Sequence, residues 1–262
     1  PSVLMHLSEF RTALEPKPEN WRPSDKQKKW PGRKAGTYKW YELQDSVKYH
    51  QKFAGPKIIY PEFSQGAKFS MDTSGSYLNN KCFFIESSDY ALLAFLNSKC
   101  VWFFLAGLSA AQRGGEWRLE LRKQYVSLIP VPAEILTRRS ILESLALQCS
   151  QAARSRLQLQ TALTRRIPDL CPPEREPKLT TRLKEWWPLP DFAAFRAEVK
   201  KVFKVDIPLA ERSDWQDWIT RDKAEIARLS AEIKQAEAEI DAIVYDLFDL
   251  TPEEIELLEA NV

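Results

Sequence analysis

The sequence predicts an α+β protein in which a small mixed sheet with flanking helices is followed by a long antiparallel pair of helices. Short β-rich runs separated by turn residues lie between residues 56 and 130. After residue 133 the apolar residues recur with a helical period. The charge also changes sign between the two halves. We therefore expect an α+β domain over residues 1–132 and a helical domain over residues 133–262.

The first 39 residues predict one short helix and one basic loop. Residues 2–14 place apolar side chains on one side of a helix. Residues 17–39 carry eight Lys and Arg residues interleaved with Trp21, Trp30 and Tyr38. Cations suit phosphates and aromatic faces pack on sugars or bases, so this loop is a candidate DNA-facing segment. A solvated loop pinned by two tryptophans explains the same pattern equally well.

The next segment predicts the sheet. Lys57–Tyr60, Lys68–Met71 and Lys81–Ile85 are β-rich, and turn signals such as Ser74-Gly75 and Asn79-Asn80 separate them. These runs predict three strands.

A helix and an extended segment follow the strands. Ser88 and Asp89 predict the N-cap of an apolar helix that continues through Leu105 and carries Asn97 and Ser98, which we interpret as mostly structural. Residues 117–132 predict a return to extended structure that ends at two prolines.

The second half predicts two long helices, at about 134–166 and 213–248, joined by a Trp- and Pro-rich connector over 167–212. We expect the connector to contain a helix over 192–203, Ser213 to cap the second long helix, and residues 251–254 to form a capping box. The second long helix has apolar residues at heptad spacing, namely Ile219, Ile226, Ile233, Ile240 and Leu247 with Leu229, Ala236 and Ile243. Such a stripe needs a partner, which is either the 134–166 helix folded back antiparallel or a helix of another chain.

Composition restricts the class of protein. The chain has 262 residues, 44% hydrophobic and 28% charged, which is typical of a folded globular protein. No apolar run reaches the ~18 residues of a membrane span, and four widely spaced cysteines without a metal-ligand pattern favour reduced thiols in a cytoplasmic protein. The start lacks Met and any signal-like segment, so we expect a fragment of a longer protein.

The distribution of charge indicates two kinds of partner. Residues 1–130 hold 19 Lys and Arg against 12 Asp and Glu, a net charge of +7, whereas residues 131–262 hold 19 against 24, a net charge of −5. A basic half joined to an acidic helical half is expected when one half meets a polyanion and the other meets protein.

Common catalytic signatures are absent from the sequence. It contains no Gly-rich nucleotide loop, no His-Glu-x-x-His and no Gly-x-Ser-x-Gly, so we predict no catalytic, metal-binding or cofactor-binding residues. One enzymatic alternative is a standalone nuclease with a metal site built from Asp72, Glu62 and Glu86 near Lys68. Scattered acids among strands are more often surface residues.

Several short segments, taken in order, resemble a known family. They are Trp40–Leu43, Pro56–Pro61, Phe69–Asp72, Asn80–Ile85, Leu96–Lys99 with Phe103–Leu105, Arg113–Gly115, Tyr125–Pro132 and the tail Glu239–Glu254. Together they resemble the TaqI-like C-terminal specificity domain of adenine-N6 DNA methyltransferases and type IIG restriction enzymes. The resemblance implies a bacterial DNA target-recognition module. Its upstream methyltransferase domain would bind S-adenosylmethionine and carry an Asn/Asp-Pro-Pro-Tyr/Phe motif that this sequence lacks.

The resemblance also implies double-stranded DNA as a partner, and the candidate contacts are loop cations and amides. These are Lys28, Lys29, Arg33, Lys34, Lys68, Asn79, Asn80, Lys81, Gln112, Arg113, Arg118, Arg122 and Lys123. Arginine makes a bidentate contact to guanine that lysine does not, so we expect Arg113, Arg118 or Arg122 to read bases. The alternative function is a protein-interaction module in which the heptad helix is the functional surface.

Overall fold

The structure is a computed structural model of the chain, and it describes residues 2–24, 27–45, 47–109, 111–112 and 118–261. The chain divides into two compact units, Pro1–Pro56 with Thr73–Tyr77 and Lys57–Asp72 with Leu78–Val262. The α+β class is confirmed. The proposed domain boundary after residue 132 stays a prediction.

The described residues of the first unit form two short α-helices, α1 (Val3–Ser8) and α2 (Arg11–Leu14), and one 3-10 helix, Lys48–Phe53. The prediction of one helix over 2–14 is wrong, because the backbone of Phe10 (φ −104°, ψ 11°) departs from helical geometry. Neither α1 nor α2 buries a residue. Without a packed apolar face, a segment this short gains nothing that would keep the helix continuous.

The second unit begins with two small sheets. The strands are β1 (Lys57–Pro61), β2 (Phe63–Ser64), β3 (Ser70–Asp72), β4 (Cys82–Ile85), β5 (Ala111–Gln112) and β6 (Arg118–Glu120). Their orders are β3-β1-β4 and β2-β6-β5, and all pairs are antiparallel. The three predicted strands are therefore present, but the described strands form two antiparallel sheets in place of one mixed sheet. Short connections between strands favour antiparallel pairing, because a parallel pair needs a long crossover.

Helices make up the rest of the second unit. The α-helices are α3 (Tyr90–Leu96), α4 (Lys99–Leu108), α5 (Lys123–Val126), α6 (Arg139–Arg166), α7 (Thr181–Lys184), α8 (Phe192–Phe203), α9 (Arg212–Leu247) and α10 (Pro252–Glu259). The 3-10 helices are Ala133–Arg138, Ile167–Leu170 and Leu209–Glu211. The short helix α5 corrects the prediction of extended structure throughout 117–132.

The apolar helix predicted to continue to Leu105 is broken at Asn97 and Ser98. Asp89 caps α3 as predicted, but α3 ends at Leu96, and the Ser98 hydroxyl accepts from the Val101 amide to begin α4. The bend between α3 and α4 is 58°. Among the described residues no single helix is long and apolar enough to cross a membrane, and this bent pair meets that criterion by length and composition alone.

Asn97 explains why the chain bends at this point. Its side chain accepts a hydrogen bond from the Phe69 amide at 3.0 Å and donates to the Phe69 carbonyl at 3.0 Å. It also donates to the Leu93 carbonyl at 3.0 Å. The side chain thus joins the end of α3 to the residue preceding β3, which confirms the structural role predicted for it.

The long helices α6 and α9 form the predicted antiparallel pair within one chain. Arg138, just before α6, lies 2.8 Å from Asp246 near the end of α9, whereas Cys149 further along α6 contacts Ile233 earlier in α9. The apolar stripe that includes Ile233 is buried. The predicted cap at Ser213 is wrong because α9 begins at Arg212 with Glu211 as N-cap, while the capping box at Thr251 is confirmed.

The two larger apolar cores among the described residues lie within the second unit. One joins the sheets and α3–α4 to the start of α6 and the end of α9, around residues such as Phe95 and Leu105. The other lies in the connector region, where Trp186 and Phe195 are buried against the opposite ends of α6 and α9. The connector is thus a packed subdomain, as predicted.

Candidate nucleic-acid interface

Glu62 is the point at which the two small sheets meet. It is the residue between β1 and β2, and its amide donates to the Lys81 carbonyl at 2.8 Å. Its own carbonyl accepts from the Leu121 amide at 2.7 Å. These two bonds bring the residue that precedes β4 and the residue that follows β6 to the same place.

Two ion pairs lie at this junction, and we call them the junction cluster: Glu62, Lys81, Glu120 and Arg122. The Lys81 ammonium is 2.8 Å from the Glu62 carboxylate, and the Arg122 guanidinium is 2.7 Å from that of Glu120. The carboxylates are largely buried, with side-chain exposures of 18% and 9%, whereas the two cations are 62% and 55% exposed. Each cation is therefore bound by a carboxylate that is more buried than the cation itself, and it remains accessible to solvent.

The neighbouring carboxylates raise the pKa of Arg122. The hydrogen bond from Arg122 to Glu120, followed by the charge of that carboxylate, raises the pKa of the guanidinium, and Glu62 adds to the effect. Within the described part of the chain its remaining N–H groups have no hydrogen-bond partner. A fixed guanidinium with free donors is suited to a planar, two-point contact with a base edge.

Other candidate residues of the second unit surround the two sheets. Arg118 and Lys123 are exposed on either side of Arg122, and Gln112 lies opposite Arg118 in the β5–β6 pairing. Lys68, Asn79 and Asn80 are exposed in the loops that lead into β3 and β4, and the Asn79 carbonyl oxygen of the side chain accepts from the Lys81 amide at 2.9 Å. Arg113 and the side chain of Gln112 lie outside the described residues.

In the first unit, Arg33 has a structural position. Its guanidinium donates to the backbone carbonyls of Leu14, Glu42, Lys39 and Trp40 at 2.7–3.2 Å and lies over the Tyr38 ring. Its donors therefore hold the loop together, and a DNA contact by Arg33 stays a prediction that has to compete with these bonds.

The other candidate cations of the first unit, Lys28, Lys29 and Lys34, are exposed on the loop. Lys28 and Lys29 are exposed and make no ion pair with any described residue, whereas Lys34 pairs with Asp45 at 2.8 Å. Trp21 and Trp30 contact each other edge to face at 5.9 Å, so the tryptophans do pin this loop. Phosphate contacts by the exposed lysines at 28 and 29 stay a prediction.

The carboxylates of the nuclease alternative have other partners. Asp72 lies 2.5 Å from the buried ammonium of Lys57, and Glu62 belongs to the junction cluster. Among residues that the structure describes, no group of three or more His, Cys, Asp or Glu side chains is placed to hold a metal ion. The thiols are unpaired, and burial raises the pKa of Cys100 and of Cys149 to about 11, which keeps both protonated at neutral pH.

Comparison with protein families gives two adjacent matches. The model of the TaqI-like C-terminal specificity domain matches residues 17–131, which include both sheets and the junction cluster. This segment is similar to the TaqI-like C-terminal specificity domain. The resemblance inferred from the sequence is thus confirmed, and specificity domains of this kind serve DNA methyltransferase-type enzymes.

A second family, described as a domain of unknown function (DUF8810), matches residues 136–244, which include α6 to most of α9. No curated protein and no solved structure matches the chain. The specificity domain and the helical segment thus follow one another with only a few residues between the two matches.

The amino-acid sequence did not identify Glu62 and Glu120 as the partners of Lys81 and Arg122. These ion pairs depend on the pairing of β2 with β6, where Phe63 lies opposite Glu120. The alternation Arg118-Leu119-Glu120-Leu121-Arg122 is the only local signal, and it would have indicated a strand without showing which cation each acid holds.

Proposed function

We propose that this chain is the target-recognition module of an adenine-N6 DNA methyltransferase or a type IIG restriction–modification enzyme. It would grip duplex DNA and position it for a catalytic domain located upstream in the same polypeptide. The observation that carries the proposal is the specificity-domain match over residues 17–131. A methyltransferase that extrudes its target base needs a separate grip on the flanking duplex, and this module supplies it.

The described surface supports a division of labour among the cations. Lys28 and Lys29, exposed and unpaired with described acids, are suited to phosphates, which supply affinity without sequence preference. Arg122 is held by Glu120 and is suited to a guanine edge, where geometry decides specificity. Arg118 is a second candidate for contacting base edges, because it is exposed at the start of β6, the strand that precedes Arg122.

The chemistry of the parent enzyme belongs to the proposal as well. S-adenosylmethionine would be bound by the catalytic domain, since the sequence here has no motif for it. The isolated chain would bind DNA without methylating or cutting it. We place the enzyme in the bacterial cytoplasm, where such modification acts.

The rival function, an interaction module that uses the heptad helix, has less support. The apolar stripe of α9 is buried against α6 in the same chain, with Ile226, Ile233 and Ile240 each less than a tenth exposed. The stripe is therefore buried by packing within the chain and is not accessible to another protein.

Selection from a pool of randomised duplexes tests the proposal. The chain is incubated with the pool, bound duplexes are recovered over several rounds, and their sequences are read. We expect enrichment of one short motif, and we expect Arg122→Ala to relax the preference at one or two positions while Lys28→Ala leaves the motif unchanged. Recovery of sequences without a shared motif would contradict sequence-specific recognition.

A further inference from the structure

An apolar groove in the second unit lies away from the junction cluster in sequence and has a different chemistry. It has a volume of about 640 Å³ and is open to solvent between α4 and α10. Its lining includes Phe103 and Leu108 of α4, Leu257 of α10, and Ile129 and Phe248. Pockets of this size commonly receive ligands or anchoring side chains.

The groove keeps large apolar side chains in contact with water. Leu257 is 63% exposed, Leu108 40% and Phe103 39%. Single exposed apolar residues are ordinary, but a cluster around one groove is characteristic of an interaction surface. The groove therefore needs an explanation that the proposed DNA-binding function does not give.

The walls are fixed by specific contacts. The Glu259 carboxylate at the end of α10 accepts from the Lys99 ammonium at the start of α4 at 2.7 Å and from the Tyr245 hydroxyl of α9 at 3.2 Å. The capping box of Thr251 and Glu254 fixes the other end of α10, and Leu258 is buried beneath it. These contacts hold α4 and α10 in position, so the groove between them is already formed in the free chain.

The charge at the rim is acidic. From Phe248 to Asn261 the chain carries five carboxylates and neither Lys nor Arg. Glu254 lines the groove, and Glu253 is exposed one turn of α10 before Leu257, another lining residue. Neither carboxylate forms an ion pair with described residues, while the lysine that opens α4, Lys99, is already paired with Glu259. Negative charge at the rim repels nucleic acid and favours a cationic partner.

We propose that this groove binds an amphipathic helix of a protein partner, with apolar side chains at i, i+3, i+4 and i+7 and with Lys or Arg along its edges. The lining residues of α4 and α10 recur at helical spacing on facing sides, which leaves a groove that receives the ridge of a third helix. The apolar side chains fill the groove and the basic edges meet Glu253 and Glu254.

A designed peptide tests this proposal on the full chain. The probe is a fluorescein-labelled helix of about 16 residues with Leu at the stated spacing and Lys on its edges. One control peptide has the same composition with the leucines scrambled, and a second has Glu in place of Lys. We expect saturable binding by fluorescence anisotropy, with each control peptide at least about tenfold weaker.

Substitutions in the groove locate the binding site. Leu257→Asn changes a side chain that is 63% exposed, so the melting temperature should stay close to that of the wild type while peptide affinity falls at least about fivefold. Phe103→Ser should weaken peptide binding as well, with some loss of melting temperature, because most of that side chain is buried. Leu157→Asn, at a side chain 58% exposed on α6, is the apolar control and should bind normally. Glu253→Lys should weaken binding, and Glu174→Lys, at an exposed position in the connector, should not.

Three results would overturn the proposal. The first is equal affinity for the peptides with basic and acidic edges, or no saturable binding to any of them. The second is a dimer of the wild-type chain that Leu257→Asn dissociates, since this would make a second copy the occupant. The third is binding to uncharged lipid vesicles that the groove variants abolish, which would make the groove a lipid contact.

Discussion

The ammonium group of Lys57 lies 2.5 Å from the carboxylate of Asp72, and the lysine side chain is completely buried. The two residues are opposite each other where β1 pairs with β3. The pair therefore lies inside the segment that matches the specificity-domain model. Tyr60 of the same strand is also buried, and its burial raises the pKa of its hydroxyl to about 12. The Lys57 ammonium therefore has a structural role, because its burial makes it inaccessible to DNA.

Removing one partner of this pair should be costly. Lys57→Met leaves the Asp72 carboxylate, itself only 10% exposed, without its cation, so we expect a loss of about 3–5 kcal/mol in the free energy of unfolding. The double variant Lys57→Met with Asp72→Leu should recover much of that loss. Urea denaturation gives the values, with the exposed Lys68→Met as control. Additive losses in the double variant would show that the pair is not coupled.

Asn97 gives a second test of a buried polar link. Asn97→Ala removes the partner of both the amide and the carbonyl of Phe69, a residue only 4% exposed, and we expect a cost of about 2 kcal/mol or more. Asn80→Ala, at an exposed loop position, should change the free energy of unfolding by less than about 0.5 kcal/mol. Equal stability of the two variants would remove the role assigned to Asn97.

The helical pair is tested at its centre. Ile233→Asp places a carboxylate between α6 and α9 at a side chain that is 8% exposed, so we expect a loss of about 3 kcal/mol or more. Leu157→Asp changes an exposed leucine of α6 and should cost little. The measurement is the midpoint of thermal unfolding by circular dichroism. A small effect of Ile233→Asp would contradict the packing of the stripe against α6.

An acid titration of stability tests the connector. Asp206 accepts from Arg196 at 2.6 Å and from Arg212 at 3.1 Å, and the Arg196 hydrogen bond is the larger of the causes that lower the pKa of this carboxyl from 3.8. The ionised carboxylate therefore stabilises the fold fully above its ordinary pKa, and this contribution is lost as pH falls towards the lower, folded-state pKa.

Asp206→Asn should accordingly have a lower melting temperature than the wild type at neutral pH. The difference between the two melting temperatures should become smaller once the pH falls below about 4. Melting curves between neutral and acidic pH measure this difference. Asp217→Asn, at an exposed position of α9, should show no such convergence. A difference that stays constant across the titration would show that Asp206 does not act through its charge.

The sequence predicted the elements whose signal is local and repeated. The bounds of the 192–203 helix were correct, and those of the two long helices were close, because several turns of apolar periodicity define each. The break at Asn97 could not be predicted from that period, since its cause is a hydrogen bond to Phe69, distant in the chain. The prediction of one helix over 2–14 was wrong because apolar periodicity stabilises a helix only where the apolar face is packed, and neither α1 nor α2 buries a residue.

The candidate site was predicted as a set of residue types and not as a geometry. Arg122 and Lys81 were identified as cations near turns, but their anchoring carboxylates depend on which strands pair. Arg33 has the composition of a DNA contact, yet its donors meet backbone carbonyls of the loop. Residue type and charge therefore indicated candidate residues, whereas the tertiary fold decides which of their hydrogen-bond donors are already used within the protein.

The affinity of the chain for a selected duplex and for its scrambled counterpart, measured by fluorescence anisotropy across a series of salt concentrations, tests DNA recognition most directly. We expect log affinity to fall linearly with log salt for both duplexes, at about −0.9 per phosphate neutralised, with the selected duplex bound more tightly throughout. Lys28→Ala or Lys29→Ala should reduce the slope by about one, and Arg122→Ala should cost roughly 1–3 kcal/mol on the selected duplex alone. A salt-independent affinity, or no binding at low salt, would contradict the assignment of this chain to DNA recognition.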